Sequence, residues 1–510
     1  MILGILGHGF AYEMECIVRL FFPGNKIIIV KQNNITDEDV VITQVCPGAG
    51  PIGNKRELTV QVRLDGFERL VKQDVNAAAS DELLERTLGA MLFGLLAEKT
   101  GKRPEWGILT GIRPVRLCEK WASSENLSDE GIFTRLVEDY LVSPKKAGLC
   151  LKTGKAQEQI LKGNTKESFS LYISVPFCPT RCLYCSFVSY TVQRDARLVP
   201  EYVALLCEEI AYTGEIARDL GLKLKTIYVG GGTPTVLSPP QLGEILGTVQ
   251  ASFDMSGVME YTVEAGRPDT ITGEKLAAMR AHGVDRISIN PQSMSDGVLK
   301  AIGRQHGSAE VIESIELAKK AGFRCINTDI IAGLPSETMQ SFAESLEKVT
   351  GLTPENITIH TLTVKRSSSL RDDSDAFLNT NPETGAMLAY AEKRLTKEAY
   401  EPYYLYKQKA AVDNLENIGF SKPGHPGAYN IYSMHDTHTI LAAGAAAVSK
   451  LCFHKSGAER IFNYKYPSEY IKNFKDVLKR KGAVYATDHT EKVFPASGQG
   501  NHQHGKKRPV

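Results

Sequence analysis

The chain has no surplus of charge. Sixty Lys and Arg against 59 Asp and Glu leave a formal +1, which removes the electrostatic case for a nucleic acid or an anionic membrane as partner. No apolar run approaches the roughly eighteen residues a spanning helix needs. The first residues are apolar, but they lack a basic flank and soon meet Glu13 and Glu15, so no secretory signal is expected. Ten cysteines are present, yet seven are scattered without pattern, which fits a reducing cytoplasm better than a disulfide scaffold.

The other three cysteines lack a fourth. In Cys178-Pro-Thr-Arg-Cys182-Leu-Tyr-Cys185 the Cys-x3-Cys-x2-Cys spacing crowds three thiolates around one point, whereas closed zinc sites and fully ligated cubanes take four ligands. A 4Fe-4S cluster held by three cysteines keeps one iron open for chemistry. The competing readings are a zinc knuckle that borrows a distant histidine, and buried apolar thiols. The next cysteine, Cys207, falls inside a helical pattern, so the second ligand pair that zinc normally brings is not nearby.

With 510 residues, 42% hydrophobic and 23% charged, the composition is that of an ordinary soluble protein with room for several domains. Residues 1–165 read as an α+β domain, with alternation over Arg56–Leu64 and a helix capped by Ser80 that stops at Gly101. A polar stretch, Lys152–Ser168, reads as a linker. Residues 166–370 alternate strands (171–175, 225–229, 260–264, 286–290, 325–331, 357–362) with helices near 200–220, 239–252, 272–281, 308–320 and 338–349. Ser308 is the expected cap of the fourth helix, and Gly283 and Gly322 are stops. The expected fold class is α/β, a partial (β/α)6 barrel. Residues 371–485 form a mixed cap, and 486–510 a disordered tail. Gly48-Ala-Gly-Pro-Ile-Gly53 matches a dinucleotide fingerprint, but a strand pattern follows where a helix must begin, so it reads as a hairpin turn.

In a parallel barrel, reactive residues gather at the carboxyl ends of the strands. The cysteine loop follows the first strand, Gly230-Gly-Gly-Thr-Pro234 the second, Glu264 ends the third and Gln292 lies past the fourth, so all four should face one mouth. The glycines can admit a ligand to the backbone or merely make a tight turn. Glu264 can bind a ribose or ammonium, or form a salt bridge with a base such as Arg267.

The triad, with Tyr184 before its last cysteine, resembles the signature of radical S-adenosylmethionine (SAM) enzymes. Together with Tyr172, Gly231-Gly-Thr233, Glu264, Gln292, Arg304, Asp329 and Gly333-Leu-Pro335, residues 169–455 resemble the oxygen-independent coproporphyrinogen III oxidase family. Gly444–Ser449 is similar to that family's late glycine-alanine turn. The added N-terminal module, Thr110–Leu117 and Tyr404–Lys409 resemble its HemZ-type branch.

The resemblance implies a radical SAM fold and a 4Fe-4S cluster on Cys178, Cys182 and Cys185. It implies one SAM held with Tyr172, Gly231 and Glu264, and a second SAM site lined by Tyr184, Gly232, Thr233, Gln292, Arg304 and Asp329. The implied activity is oxidative decarboxylation of coproporphyrinogen III to protoporphyrinogen IX, with electrons from a donor such as flavodoxin or ferredoxin.

Ser174 and Phe187 stand where the best-characterised decarboxylases have histidine and cysteine. Phe187 is similar to the haem-chaperone branch, whose haem motif lacks its histidine and tryptophan here, at Tyr429–Met434. The alternatives are therefore haem binding and radical chemistry on another substrate. Lys365 and Arg366, past the sixth strand, are candidates for substrate carboxylates, and Arg113 and Arg116 for a lid.

Overall fold

The computed structural model describes residues 1–31, 39–47, 54–187, 189–363, 381–408, 411–452 and 458–488. Lys365, Arg366 and the Gly48–Gly53 match lie outside the described residues, as does the tail from 489.

The N-terminal sheet has five strands: Ile28–Val30 and Ile2–Leu6, parallel to Val40–Pro47, then Lys55–Leu64 and Phe67–Asn76 antiparallel. The helices Ala11–Phe21 and Asp81–Thr100 pack on one face, and their core runs from Leu3 to Ile108. Ser80 caps the second helix by accepting from the Leu83 amide, and Gly101 ends it at φ 68°, a left-handed geometry that glycine takes without strain.

Six parallel strands follow: Ser168–Val175, Lys223–Gly231, Glu260–Glu264, Arg286–Ser288, Cys325–Ala332 and Asn356–Thr361. Crossover helices Val199–Asp219, Pro239–Ser252, Gly273–Ala281, Ser308–Lys320 and Met339–Gly351 connect them. The expected strand and helix order holds within a few residues. The cap of the fourth helix is Gly307, not Ser308; Glu310 reaches back to the Gly307 amide, while the Ser308 amide is held by Asp296.

The segment expected as a linker is mostly helix, Pro144–Lys162. Its buried face includes Lys146, Thr153 and Gln157, polar side chains that found partners, so a pattern count based on apolar residues missed it. Its apolar residues join one continuous core that extends from Trp106 to Val484.

Among the described residues the sheet does not close. It has eleven strands, and the C-terminal region supplies strands at both edges. Glu416–Ser421 pairs antiparallel with the sixth parallel strand, and Glu401–Lys407 pairs beyond it. At the other edge Thr439–Ala443 lies parallel to the first strand, followed by Val448–Leu451 and Glu459–Phe462. The region expected as a cap is thus woven into the sheet. Gly444, at φ 99°, has no room for a Cβ, which would meet the Ser174 carbonyl oxygen at 2.5 Å. That close approach fixes the late turn against the end of the first strand.

Candidate functional site

A cavity of about 360 Å³ opens at the carboxyl ends of the parallel strands. Its lining includes Cys178, Cys182, Cys185, Tyr184, Gly231, Gly232, Thr233, Glu264, Gln292, Arg304 and Asp329. Every residue expected to hold the cluster or SAM, except Tyr172, therefore lines this one cavity. Tyr172 is not among the lining residues; its ring stacks with Tyr228 and Tyr429, with centroids 6.3 Å from each.

The glycine run is required by the backbone. Gly231 sits at φ 104°, and a Cβ on Gly232 would meet the Phe177 carbonyl oxygen at 2.5 Å. The Gly232 and Thr233 amides donate to the Val175 and Phe177 carbonyls at 2.9 and 2.7 Å, tying this turn to the start of the cysteine loop. The Thr233 hydroxyl donates to Cys178 Sγ at 3.5 Å. Gln292 adopts φ 69°, and its buried Oε1 has no hydrogen-bond partner among the described residues. A strained residue carrying an unsatisfied acceptor at a cavity wall marks a place where a ligand donor fits.

The cysteines are enclosed. Burial pushes the Cys178 thiol up, and pushes Cys185 up to about 11; as free thiols they stay protonated at neutral pH, and a metal centre would have to displace those protons. Among the described residues no three His, Cys, Asp or Glu side chains gather as a single metal ion requires. A cubane instead spreads three thiolates over three irons, so the donor set suits a cluster better than a zinc knuckle.

Glu264 is not paired with Arg267. The Tyr228 hydroxyl donates to Glu264, and burial pushes the carboxyl up to about 7. Arg267 instead grips Asp269 through Nε and NH2. Arg304 is buried and donates to the Gly266 and Asn290 carbonyls and the Tyr184 hydroxyl, at 3.1, 2.7 and 2.9 Å.

Sequence reasoning missed His360, on the sixth strand, which lines the same cavity as the cysteine loop. Its Nε2 lies 3.5 Å from Asp329 Oδ2 and its Nδ1 3.3 Å from Asn417 Oδ1. The Asn417 amide is oriented because its Oδ1 also accepts from the Thr361 N–H at 2.9 Å. Both ring nitrogens thus face acceptors, the arrangement of an imidazolium. Burial alone would lower the pKa of His360, but Asp329 and Asn417 raise it, while His360 and Asn327 hold Asp329 low against its own burial. A signal was available: Asn356, Thr358 and His360 alternate with Ile357 and Ile359, which puts the polar set on one face of the strand.

Arg113 and Arg116 do not reach the cavity. Both lie beside Asp436, at 2.7 and 3.8 Å. The contact between module and core lies instead at Glu416, which accepts from Lys146 and from the Trp106 indole N–H (2.8 Å). Lys407 supports it: its amide donates to the Ile112 carbonyl at 2.8 Å and its ammonium to the Leu109 carbonyl. The two phrases singled out for the N-terminal branch, at 110–117 and 404–409, therefore meet.

The pattern of the Radical SAM superfamily matches residues 172–349. The chain is 37% identical to the oxygen-independent coproporphyrinogen-III oxidase-like protein HemZ of Bacillus subtilis, over 88% of this chain and 87% of that protein. It is 30% identical to the heme chaperone HemW of the same organism, over 63% of this chain and 78% of that one. Among solved structures it is similar to coproporphyrinogen III oxidase (HemN) of Escherichia coli, with a TM-score of 0.49 and 21% identity, covering 64% of this chain and 73% of that one. None of the helices among the described residues is long and apolar enough to cross a membrane.

Proposed function

Because the chain belongs to the radical SAM superfamily and, within it, to the oxygen-independent coproporphyrinogen-III oxidase-like family of HemZ, we propose that it converts propionate side chains of coproporphyrinogen III into vinyl groups. A 4Fe-4S cluster and SAM, when bound, would supply a 5'-deoxyadenosyl radical that takes one hydrogen atom from the propionate β-carbon, after which CO2 leaves and one electron passes to an acceptor. The observation that carries this reading is one cavity that unites the three cysteines, the polar ends of four strands and a histidine whose two ring nitrogens lie beside Asp329 and Asn417 oxygens.

In this reading Cys178, Cys182 and Cys185 hold the cluster. Glu264 and the Gly231 turn hold SAM on it, with Tyr172 and Tyr228 packed behind. Tyr184, Gly232, Thr233, Gln292, Arg304 and Asp329 line a place for a second SAM. His360 offers positive charge to a substrate carboxylate, while Tyr404 and Tyr406, which also line the cavity, exclude water from the reacting C–H bond. Residues 1–165 act as a module that braces the strands behind that histidine, 166–370 carry the chemistry, and 371–485 complete the walls. Electrons would come from a small redox donor of the flavodoxin or ferredoxin kind.

The experiment is anaerobic incubation of the reconstituted protein with SAM, a reductant and coproporphyrinogen III, followed by mass spectrometry. The reading expects successive losses of CO2 that depend on SAM. Cleavage of SAM without CO2 loss would sink it. A second reading, haem binding, is favoured by Phe187, which is 66% exposed at the cavity, and by the HemW similarity. Haem titration followed in the Soret band decides for it if binding is stoichiometric and no decarboxylated product forms.

A further inference from the structure

Cys182 is the most enclosed of the three cysteines, at 8% exposure, and it is enclosed by guanidinium groups. Arg267 is 3% exposed. Its NH1 donates to Thr180 Oγ1 at 3.1 Å and to Cys182 Sγ at 3.7 Å, while Nε and NH2 bind the two oxygens of Asp269 at 3.0 and 3.2 Å. A guanidinium has five N–H donors in a rigid plane, so with four of them placed it cannot rotate away from the sulfur without breaking the bidentate pair.

The backbone is held as well. The Arg267 carbonyl accepts from the amide and the hydroxyl of Thr270, at 3.0 and 2.7 Å. Burial alone would push the Asp269 carboxyl up, but His306 and Arg267 hold it well below its ordinary range, so the grip is charge-assisted.

A buried cation is costly unless paired. Here the pairing is complete on the Asp269 side, and NH1 is turned to Thr180 and to one thiol. A hydrogen bond to a ligating sulfur draws electron density from the metal centre and stabilises its more negative redox state. We propose that Arg267 is a positioning residue for the iron-sulfur centre: its NH1 hydrogen-bonds the Cys182 thiolate, orients that ligand, and raises the potential at which the centre accepts its electron. The proposal rests on the cluster reading above. Arg304 stands nearby through Tyr184 and the Gly266 carbonyl, so losing Arg267 leaves one cation in place and the effect should be a graded shift.

The test is an EPR-monitored redox titration of the anaerobically reconstituted full-length protein, after iron and sulfide have been counted. Wild type is compared with Arg267→Gln and Arg267→Lys. At the potential that half-reduces the wild-type centre, the ratio of reduced to oxidised centre in Arg267→Gln is expected to fall about tenfold, a shift to more negative potential. Arg267→Lys keeps the charge without the fork and should fall between. Equal ratios in all three proteins, each with its iron and sulfide, overturn the proposal and leave the cluster reading intact. Wild-type protein without iron and sulfide overturns both. If the glutamine variant cannot retain the centre, the lysine variant decides, and its titrating together with wild type overturns the proposal.

Discussion

At the scale of single residues, His360 shows how much a partner's orientation decides. Asn417 could present either end of its amide; the Thr361 N–H makes it present oxygen, and that choice places a proton on Nδ1. The pH consequence has a definite sign. His360 is raised above its ordinary 6.5 and Asp329 lowered below its ordinary 3.8. The stability this pair contributes is therefore complete between those two values, is lost as pH rises through the raised histidine value, and is lost as pH falls through the lowered aspartate value. The melting temperature of His360→Gln should lie furthest below wild type within that window and converge on it at higher pH, as differential scanning fluorimetry across pH can check. Under the proposed function, KM for coproporphyrinogen should rise in the same variant more than kcat falls, since that reading gives His360 a binding charge and no reacting group.

At the scale of elements, the strand Glu416–Ser421 has two jobs on successive residues. Glu416 faces the N-terminal module and Asn417 faces the cavity. Lys146 and Glu416 are both 2% exposed in their side chains, so removing one charge strands the other. Glu416→Gln should cost about 3 kcal/mol in urea unfolding, at the low end for a broken buried pair because Glu105 also lies 3.2 Å from Lys146. Replacing both partners, as Lys146→Met with Glu416→Leu, should recover only part of that loss, since the Trp106 indole N–H is left without its acceptor.

The parallel strands and crossover helices were legible because each carries its own local pattern of β-branched runs, helical spacing and glycine stops. The helix Pro144–Lys162 was not legible, since its inward face uses lysine, threonine and glutamine. The five C-terminal strands were unreadable for another reason: which edge of a sheet a strand joins is a long-range choice that local alternation does not record. In the cavity, the loop residues could be placed from motif spacing, whereas the choice of Glu264 between a ligand and a pair with Arg267 stayed open, because sequence proximity says nothing of which way a buried guanidinium turns; it turns to Asp269.

At the scale of the whole molecule, the N-terminal sheet and the helix Asp81–Thr100 have their own core, yet the helices from Pro114 onward share theirs with the parallel strands. The only two tryptophans, Trp106 and Trp121, are both buried in that shared region. Indole fluorescence therefore watches the junction while far-UV circular dichroism watches every element. The two signals should lose half their amplitude at the same urea concentration, and an earlier fluorescence transition would mean the junction opens first.

An eleven-stranded sheet with two free borders behaves differently from a sealed tube. Its curvature can relax without unzipping a single ladder, because among the described residues no backbone pairing joins the first border to the last. The width of the cavity at the strand ends is therefore not locked by a continuous hydrogen-bonded ring.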